Sequence, residues 1–346
     1  MPRKLGVGIA LALLVSVGSP AGALPNGTGV RTYQSGLNFP IDMAWVKGTR
    51  KIFFTEKTGA IRVMMGRNLL ATPCTTLDVN SDGERGALGI ALHPKFKRNH
   101  KLYVYYTNAS PLENRVSSFV VKDNRCTERS AIVTGLDASS QGYHNGGQLE
   151  FVGNKLFVSV GEAHSPAEAQ DTTNRLGKIL RVNADGSVPL DNPFNNAVWS
   201  YGHRNPFGLA HKPGTSKLYS SENGPSCDDE LNYIRKGRNY GWGDGYQCGT
   251  RGVGTNPKGP IVRWSNIIVP TDPTWYRGKL NALNGLLMGD YGNGDIHRFR
   301  MNKEKTRVSR DMIVYNGTDG IVDVSKGPGG WLYFLTSSAI MRIVRI

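Results

Sequence analysis

A strand–turn–strand pattern that recurs six times constrains the fold more than any other feature of this sequence. Each copy has an alternating apolar strand, a connecting turn or loop and a second short strand, as in the run from Lys51 to Val63. The first strands of the six copies begin near residues 51, 101, 155, 217, 284 and 331. Strand-rich units at this spacing predict an all-β fold, a six-bladed β-propeller. A sandwich would need fewer strands, and the βαβ rhythm of a parallel sheet is missing.

The same pattern predicts how the ring closes and where its loops lie. An early strand around Val30 to Tyr33 is expected to join the last blade, which would hide two sheet edges. Longer segments follow three of the first strands, at residues 162–177, 223–229 and 240–281. Long loops in compact domains are usually functional or disordered, and these are rich in aromatic residues, Gly and Pro. We therefore expect ordered loops around the mouth of the central channel, on one face.

The first residues are typical of a targeting segment. Arg3 and Lys4 precede a short apolar core, and Ala21-Gly22-Ala23 is a small-residue cleavage site. This arrangement predicts a signal peptide over residues 1–23, cleaved near Ala23, and one propeller domain over residues 24–346. The apolar core is too short for a permanent membrane span, and no later segment reaches 18 apolar residues. We expect a secreted protein, extracellular or periplasmic, with no membrane span.

The four cysteines fit an exported chain. Their even number makes disulfides the first interpretation, and four cysteines allow three pairings. Pairing of neighbours in sequence favours Cys74–Cys126 and Cys227–Cys248. A zinc site is not indicated, because the chain has no CxxC and no histidine at ligand spacing.

The formal net charge of +15 falls by two when Arg3 and Lys4 leave with the signal peptide. Such a charge can indicate nucleic-acid binding. Here the basic residues are scattered, with no run of five and no patch interleaved with aromatic residues, so no nucleic-acid partner is expected. The alternative is a basic exported protein that binds anionic polymers of the cell envelope.

The segment from Gly142 to Gly147, GYHNGG, contains the first candidate for chemistry. Its Asn-Gly-Gly turn permits a sharp entry into the following apolar strand. A histidine just before such a turn is well placed to face a cleft, although a histidine in a turn is more often structural. Other parts of the chain decide between these interpretations.

Seven segments, one of which includes the His144 turn, occur in an order that resembles one protein family. They are GERGALGIALHPKF from Gly83, YHNGGQLEF from Tyr143, AQDTTNRLGKILRVNADG from Ala169, DNPF from Asp191, GHRNPFGLA from Gly202, SENGPSCDDELNYI from Ser221 and NYGW from Asn239. Together they resemble the soluble PQQ-dependent sugar dehydrogenases of the glucose/sorbosone dehydrogenase family, which are six-bladed propellers. The resemblance covers most of the chain after the signal peptide.

The resemblance implies a role for His144 as general base, which takes a proton from a sugar hydroxyl while hydride leaves for the quinone. It places Arg204 and Asn205 beside the cofactor, where a guanidinium would stabilise negative charge on the quinone oxygen. The alternative for Arg204 is a structural turn with a carboxylate partner.

The resemblance also implies calcium. The backbone carbonyls of Gly224 and Pro225 match those that hold the ion against PQQ, and Asn223 stands where relatives carry Gln or His beside the cofactor. Glu230 and the carbonyl of Tyr240 resemble a second, structural calcium site. The alternatives are an ordinary turn for Gly224-Pro225 and a solvated acidic turn for residues 228–230.

One further position, Glu84 in the GERG segment, resembles a residue that lines the sugar pocket of the family. The alternative is a glutamate in an exposed turn. The sugar would be the substrate of the dehydrogenase reaction, and its electrons would pass to an artificial or respiratory acceptor.

The last two blades depart from the family. Relatives bind the three carboxylates of PQQ with one lysine and two arginines, which align near Gly292, Gly320 and Val322. Each missing charge-assisted contact would cost roughly 1.5–3 kcal/mol of binding free energy. Three nearby cations are candidate substitutes: Arg277, Lys279 and Lys326.

Two functions follow. The first is an exported dehydrogenase that oxidises an aldose with PQQ and calcium, using His144 and Arg204. The second is a propeller of the same family that has lost PQQ and binds carbohydrate or envelope polymers, or performs other chemistry at the same site. Serine hydrolase chemistry is disfavoured, because the sequence has no GxSxG segment.

Overall fold

The computed structural model describes Gly22 and residues 24–346 of the chain. The predicted signal peptide, residues 1–23, thus lies outside the described residues except for Gly22. The described chain consists almost entirely of strands, and its two α-helices are one-turn segments, α1 (Phe96–Asn99) and α2 (Pro166–Gln170). Two 3-10 turns span Asn281–Leu283 and Pro328–Gly330. None of the helices found in residues 24–346 has the length and apolarity to cross a bilayer.

The strands form six antiparallel sheets around a central channel, which confirms the six-bladed β-propeller. From the channel outward, blade 1 contains β2 (Pro40–Trp45), β3 (Lys51–Glu56), β4 (Ala60–Met65) and β5 (Asn68–Leu69), and β6 (Thr75–Thr76) also pairs with β4. Blade 2 contains β7 (Ala87–Leu92), β8 (Lys101–Asn108), β9 (Glu113–Lys122) and β10 (Arg125–Asp137). Blade 3 contains β11 (Gly146–Val152), β12 (Lys155–Val160), β13 (Lys178–Asn183) and β14 (Val198–Tyr201).

Blades 4 to 6 follow the same order. Blade 4 contains β15 (Pro206–His211), β16 (Leu218–Glu222), β17 (Asp229–Ile234) and β18 (Val262–Trp264). Blade 5 contains β19 (Pro270–Tyr276), β20 (Gly285–Asp290), β21 (Asp295–Met301) and β22 (Val308–Asn316). Blade 6 contains β23 (Asp323–Lys326), β24 (Leu332–Leu335), β25 (Ala339–Arg345) and β1 (Thr28–Ser35).

The repeated sequence pattern marks the second and third strands of each blade. The strands that begin each copy, near residues 51, 101, 155, 217, 284 and 331, are β3, β8, β12, β16, β20 and β24. The sequence pattern does not identify the innermost strand that precedes each of them as a separate strand. Strands next to the channel carry polar residues and glycines, as in β11, so their apolar alternation is weaker.

The ring closes as expected from the early strand. β1 pairs antiparallel with β25 of the last blade, from Thr28 opposite Arg345 to Ser35 opposite Ala339. The first strand of the described chain is therefore the outermost strand of the blade made by its last strands. This pairing covers the open edge of β25.

The apolar cores lie between neighbouring blades. Phe53 of blade 1 and Val104 of blade 2 belong to one cluster, while Leu287 of blade 5 and Phe334 of blade 6 belong to another. These side chains are fully buried. Burial of apolar surface between blades therefore holds the ring together from outside the channel.

One expected loop is partly wrong. The segment 240–281 is predicted as a single insert, yet it contains the outermost strand of blade 4, β18, and the whole innermost strand of blade 5, β19. The signal was weak because β18 has only three residues and β19 carries two prolines. The rest of the segment, residues 240–261, is irregular.

Both expected disulfides are present. The Cys74–Cys126 bridge connects blade 1 with the outer strand of blade 2, and its Cα atoms are 4.9 Å apart. The Cys227–Cys248 bridge ties the turn after β16 to the irregular segment 240–261. Asp228 adds to this attachment, because its Oδ2 accepts a hydrogen bond from the Tyr246 hydroxyl at 2.8 Å.

Blade 5 contains a buried charged triad that should make stability depend on pH. Burial alone would lower the pKa of His297, but hydrogen bonds to Asp290 and Asp311 outweigh it and raise this pKa to about 9. The folded pKa therefore lies above the unfolded value of about 6.5. The contribution to the free energy of unfolding is full below pH 6.5 and is lost as pH rises through 9; it amounts to at most about 3 kcal/mol.

We therefore expect the free energy of unfolding in urea to fall between pH 6.5 and 9, and to fall less steeply in His297→Gln. Denaturation curves at three pH values for both proteins measure this difference. His93→Gln is the control, because burial and neighbouring lysines lower the pKa of His93. Equal slopes in the wild-type protein and His297→Gln would contradict the assignment.

Candidate active site

The His144 turn lies at the end of the channel where the innermost strands begin, a surface we call the mouth. His144 has a left-handed backbone, with φ of 57°, and Gly146 continues the turn with φ of 65°. The turn is fixed from two sides. The Tyr105 hydroxyl donates to the Asn145 carbonyl at 2.8 Å, and the Ala163 amide donates to the His144 carbonyl at 3.1 Å. The segment predicted from GYHNGG is thus a rigid entry into β11.

Gly161 permits this turn to approach the end of β12. A Cβ atom at residue 161 would lie far inside van der Waals distance of the carbonyl oxygen of His144. The His144 carbonyl and the Cα of residue 161 are both backbone atoms, so neither can move aside without disturbing the strand. The sequence segment Val160-Gly161-Glu162 therefore combines a close backbone contact with a carboxylate directly after it.

We expect Gly161→Ala to destabilise the fold by about 1–3 kcal/mol and to displace His144. Thermal denaturation measures the first effect. Gly259→Ala is the matched control, because the nearest heavy atom to a Cβ there is the Arg251 Cγ, at 3.8 Å. If Gly161→Ala melted with the wild-type protein, the contact would not be as close as the structure has it.

His144 forms a buried pair with Glu162. Its Nδ1 makes a hydrogen bond with Oε1 of Glu162, and the imidazole stacks on that of His164 with ring centroids 4.1 Å apart. Glu162 is 1% exposed, and its Oε2 has no hydrogen-bond partner among the described residues. The carboxylate therefore fixes the orientation of the ring and favours a proton on Nδ1, which leaves Nε2 as the acceptor.

Glu84 lies under the same turn. Its Oε2 accepts hydrogen bonds from the backbone amide of His144, at 2.8 Å, and from Nδ2 of Asn205, at 3.0 Å. Oδ1 of Asn205 in turn accepts from the Gly146 amide at 3.0 Å. Glu84 and Asn205 thus connect blades 2, 3 and 4 around His144. Glu84 is half-buried in a turn, and contact with a sugar remains a prediction.

Arg204 lies beside this network with a defined orientation. Its Nη1 donates to the carbonyls of Asn223, at 2.9 Å, and Gly224, at 2.7 Å. The guanidinium also lies over the indole of Trp242, 5.3 Å from the ring centroid. The Glu222 carboxylate accepts a hydrogen bond from the Arg204 backbone amide, and the charges of Glu162 and Glu84 act on the guanidinium, so the role of Arg204 stays a prediction.

The turn that holds Gly224 is fixed by Asp229. One oxygen of Asp229 accepts from the Gly224 amide at 2.8 Å, and the other accepts from the amides of Ile268 and Val269. Burial raises the pKa of Asp229 against the effect of these hydrogen bonds. The carbonyl of Gly224 is therefore held in place, although Arg204 already uses it.

Glu230 and Tyr240 were predicted to share a calcium ion. Glu230 is buried and accepts a hydrogen bond from Asn232 at 3.1 Å, and Arg263 lies 3.6 Å away. Burial and the neighbouring Glu222 raise the pKa of Glu230 to about 8. A solvated acidic turn is thus ruled out, and the shared calcium ion remains a prediction.

The cations expected for cofactor carboxylates are missing from the mouth. Gly292 donates its amide to the Ile268 carbonyl, and Val322 is buried. The three candidate substitutes lie at the other end of the ring. Arg277 and Lys279 follow the far end of β19, Lys279 pairing with Gly330, and Lys326 ends β23.

Two other cations lie near the mouth. Lys57 Nζ donates to the Ser81 carbonyl at 2.6 Å and lies 6.0 Å from the ring centroid of Phe39. Arg85 is buried and binds the carbonyls of Asp82 and Ser139. Lys57 is half-buried whereas Arg85 is buried, and the sequence motifs do not identify Lys57.

Sequence reasoning also missed the carboxylate that orients the base. In sequence Glu162 begins a predicted loop, and its partner His144 lies 18 residues earlier, just before the neighbouring strand β11. The recognisable signal was a carboxylate directly after the apolar strand β12, at the same end as His144. A strand pairing of β11 with β12 would have brought the two together.

The fold and these contacts define a class: six-bladed propellers with a carboxylate-oriented histidine at the channel mouth. The chain belongs to the glucose/sorbosone dehydrogenase family, whose sequence profile matches residues 37–345. The propeller is that of the PQQ-type sugar dehydrogenases.

Individual proteins agree with this assignment. The aldose sugar dehydrogenase of Escherichia coli is 27% identical, over 97% of each chain. The crystal structure of that soluble enzyme in its apo form has a TM-score of 0.82, with 26% identity, 92% of this chain and 100% of that one covered. The PQQ-bound aldose sugar dehydrogenase of Streptomyces coelicolor has a TM-score of 0.79, with 27% identity and coverage of 93% and 99%. Mouse Hedgehog-interacting protein is more distant, at 26% identity over 49% of this chain and 29% of that protein.

Proposed function

We propose that this protein is an exported dehydrogenase that oxidises an aldose sugar with PQQ and calcium. The observation that carries the proposal is the buried pair of His144 and Glu162 at the channel mouth, with Nδ1 of the imidazole bound to the carboxylate. Membership of a family that includes sugar dehydrogenases supports the reaction class. The substrate is a sugar whose hydroxyl reaches Nε2 of His144.

The chain's own residues supply the proton chemistry. Nε2 of His144 takes the proton from the sugar hydroxyl, and Glu162 stabilises the imidazolium that forms. Glu84 and Asn205 hold the His144 backbone, so the ring does not need to reorganise during the reaction. Arg204 places a positive charge next to the position where negative charge develops.

The residues at the mouth fit the quinone end of the cofactor but not the end that carries its carboxylates. PQQ, when bound, supplies the hydride acceptor, and calcium on the Gly224 and Pro225 carbonyls would polarise it. Gly224 is presented rigidly, but calcium would compete with Arg204 for the same carbonyl. No basic side chain replaces the family's lysine and two arginines at residues 292, 320 and 322. Lys57 is the cation we assign to a cofactor carboxylate.

Titration of the mature protein with PQQ and calcium tests this proposal. Calorimetry would follow binding, and reduction of an artificial dye with a panel of aldoses would follow turnover. We expect saturable binding at micromolar PQQ or below, weakened in Lys57→Met and unchanged in Lys326→Met on the opposite end. Absence of binding at 100 micromolar PQQ would reject the dehydrogenase.

A second candidate function is a propeller that binds carbohydrate or envelope polymers without PQQ. It is favoured by one specific observation, the hydrogen bond from Arg204 to the carbonyl that calcium would need. The exposed Tyr143 and Tyr291 would then stack on sugar rings. Glycan binding in protein that fails to bind PQQ would identify this function.

A further inference from the structure

The channel contains a group of three carboxylates with no assigned role, and a fourth carboxylate, Glu150, lines the same cavity with His211 3.8 Å away. Asp42, Asp272 and Asp323 come from the innermost strands of blades 1, 5 and 6. They line a cavity of about 600 Å³ whose wall also includes Trp45, at the far end of its innermost strand. This cavity contains none of the residues assigned to the mouth.

The three carboxylates converge. One oxygen from each lies within 4.8 Å of those from the other two. Both oxygens of Asp42 accept backbone hydrogen bonds at 2.7 Å, from Met43 and from Ile90. Oδ1 of Asp272 accepts from the Leu209 amide at 2.9 Å. The side chains of Asp42 and Asp272 are therefore held by neighbouring blades, so the cluster is preorganised.

Asp323 is different, and it is the independent sign of a ligand. Its side chain is 1% exposed, and its Oδ2 is buried without a hydrogen-bond partner in the described chain. A buried carboxylate oxygen without a partner is costly, because it has lost its hydration and gained nothing in exchange. An ion between the three groups would supply the missing interaction.

The electrostatics agree with the geometry. Burial and mutual repulsion raise the pKa of Asp323 and Asp272 well above the usual range, and burial raises that of Asp42 to about 6. Gln148 and backbone amides donate to these carboxyls. Glu150 lies in the same cavity, where burial and the Asp42 charge raise its pKa to about 8, and Lys47 and His211 also line that cavity. The cluster must hold either protons or a cation.

We propose that Asp42, Asp272 and Asp323 form a binding site for a hard divalent cation of the calcium type within the propeller channel. The ligands are all carboxylate oxygens, and the cluster has no histidine or cysteine, which disfavours zinc and copper. Calcium takes six to eight oxygens, so water in the adjoining cavity completes the coordination. The ion joins the innermost strands of blades 1, 5 and 6.

Calcium titration of EDTA-treated protein tests the site, with Asp323→Asn as the main variant. We expect Asp323→Asn to lose one equivalent of calcium, or to bind it at least ~10-fold more weakly, by calorimetry. Asp272→Asn should show the same loss. Asp82→Asn, on an exposed turn, and Glu230→Gln, at the family-type site, should keep the channel equivalent. The result does not depend on PQQ or on sugar oxidation.

Melting temperature provides a second readout, the gain in stability on addition of calcium. With millimolar calcium the wild-type protein should gain stability and the variant should not. Equal calcium stoichiometry and affinity in the wild-type protein and both variants would overturn the proposal, and would show that the cluster holds protons.

Discussion

Replacement of His144 by alanine is expected to lower kcat for sugar oxidation by roughly 10²–10⁴-fold, because the acceptor for the hydroxyl proton is removed. The loss should appear in kcat, measured as initial rates of dye reduction at saturating PQQ and calcium. Binding of PQQ should change little, since His144 acts on the sugar. Glu162→Gln should be nearly as damaging. An amide that donates to Nδ1 reverses the tautomer and leaves a proton on Nε2.

The control for this pair is His93→Ala. His93 packs against Tyr103 and Phe151 at the far end of β7, away from the mouth. Its replacement should leave kcat within a few fold while causing a similar loss of aromatic packing. Dye reduction by His144→Ala at the wild-type rate would mean that His144 is structural and that another group takes the proton.

Arg204→Gln is expected to have two opposite effects. Turnover should fall by ~10²–10³-fold, as is typical when a preorganised electrostatic group is removed. Calcium affinity at the mouth should rise, because the Gly224 carbonyl loses its hydrogen bond to Nη1 and the repulsion between two cations disappears. Calorimetry with calcium, together with rates of dye reduction, measures both quantities in one preparation.

Arg235→Gln is the matched control, since Arg235 also stacks on an aromatic ring, that of Tyr233, but lies outside the mouth. It should alter neither turnover nor calcium binding. A fall in calcium affinity in Arg204→Gln would show that the guanidinium supports the calcium site rather than competing with it.

The architecture was predictable because propeller blades repeat in sequence. The alternation in Lys51–Glu56 or Lys155–Val160 reports a strand with apolar neighbours on both sides of the sheet. The innermost strands escaped the pattern, since their channel-facing positions hold residues such as Asp42 and Gln148. The pattern also does not identify β18, which has only three residues, or β19, whose two prolines interrupt the alternation.

The site was predictable only where residues that act together are adjacent in sequence. His144, Arg204-Asn205 and Gly224-Pro225 each lie in a short motif. The pairing of His144 with Glu162 and the bridge from Glu84 to Asn205, 121 residues apart, arise from three different blades. The positions of Arg277, Lys279 and Lys326 show the opposite error. These residues lie close in sequence to the positions where the family has its lysine and arginines. They are nevertheless distant in space, because the two ends of a strand lie on opposite faces of the ring.

The pairing of β1 with β25 also has a consequence for how the chain acquires its structure. Residues 28–35 have no partner until residues 339–345 exist, so closure joins segments separated by about 300 positions. The entropy lost in joining distant segments rises only as the logarithm of the loop length, but such contacts form late and slowly. An incomplete chain would present the bare edge of blade 6 to other molecules. Ring closure therefore makes the completed polypeptide, rather than any part of it, the smallest unit that is protected from aggregation.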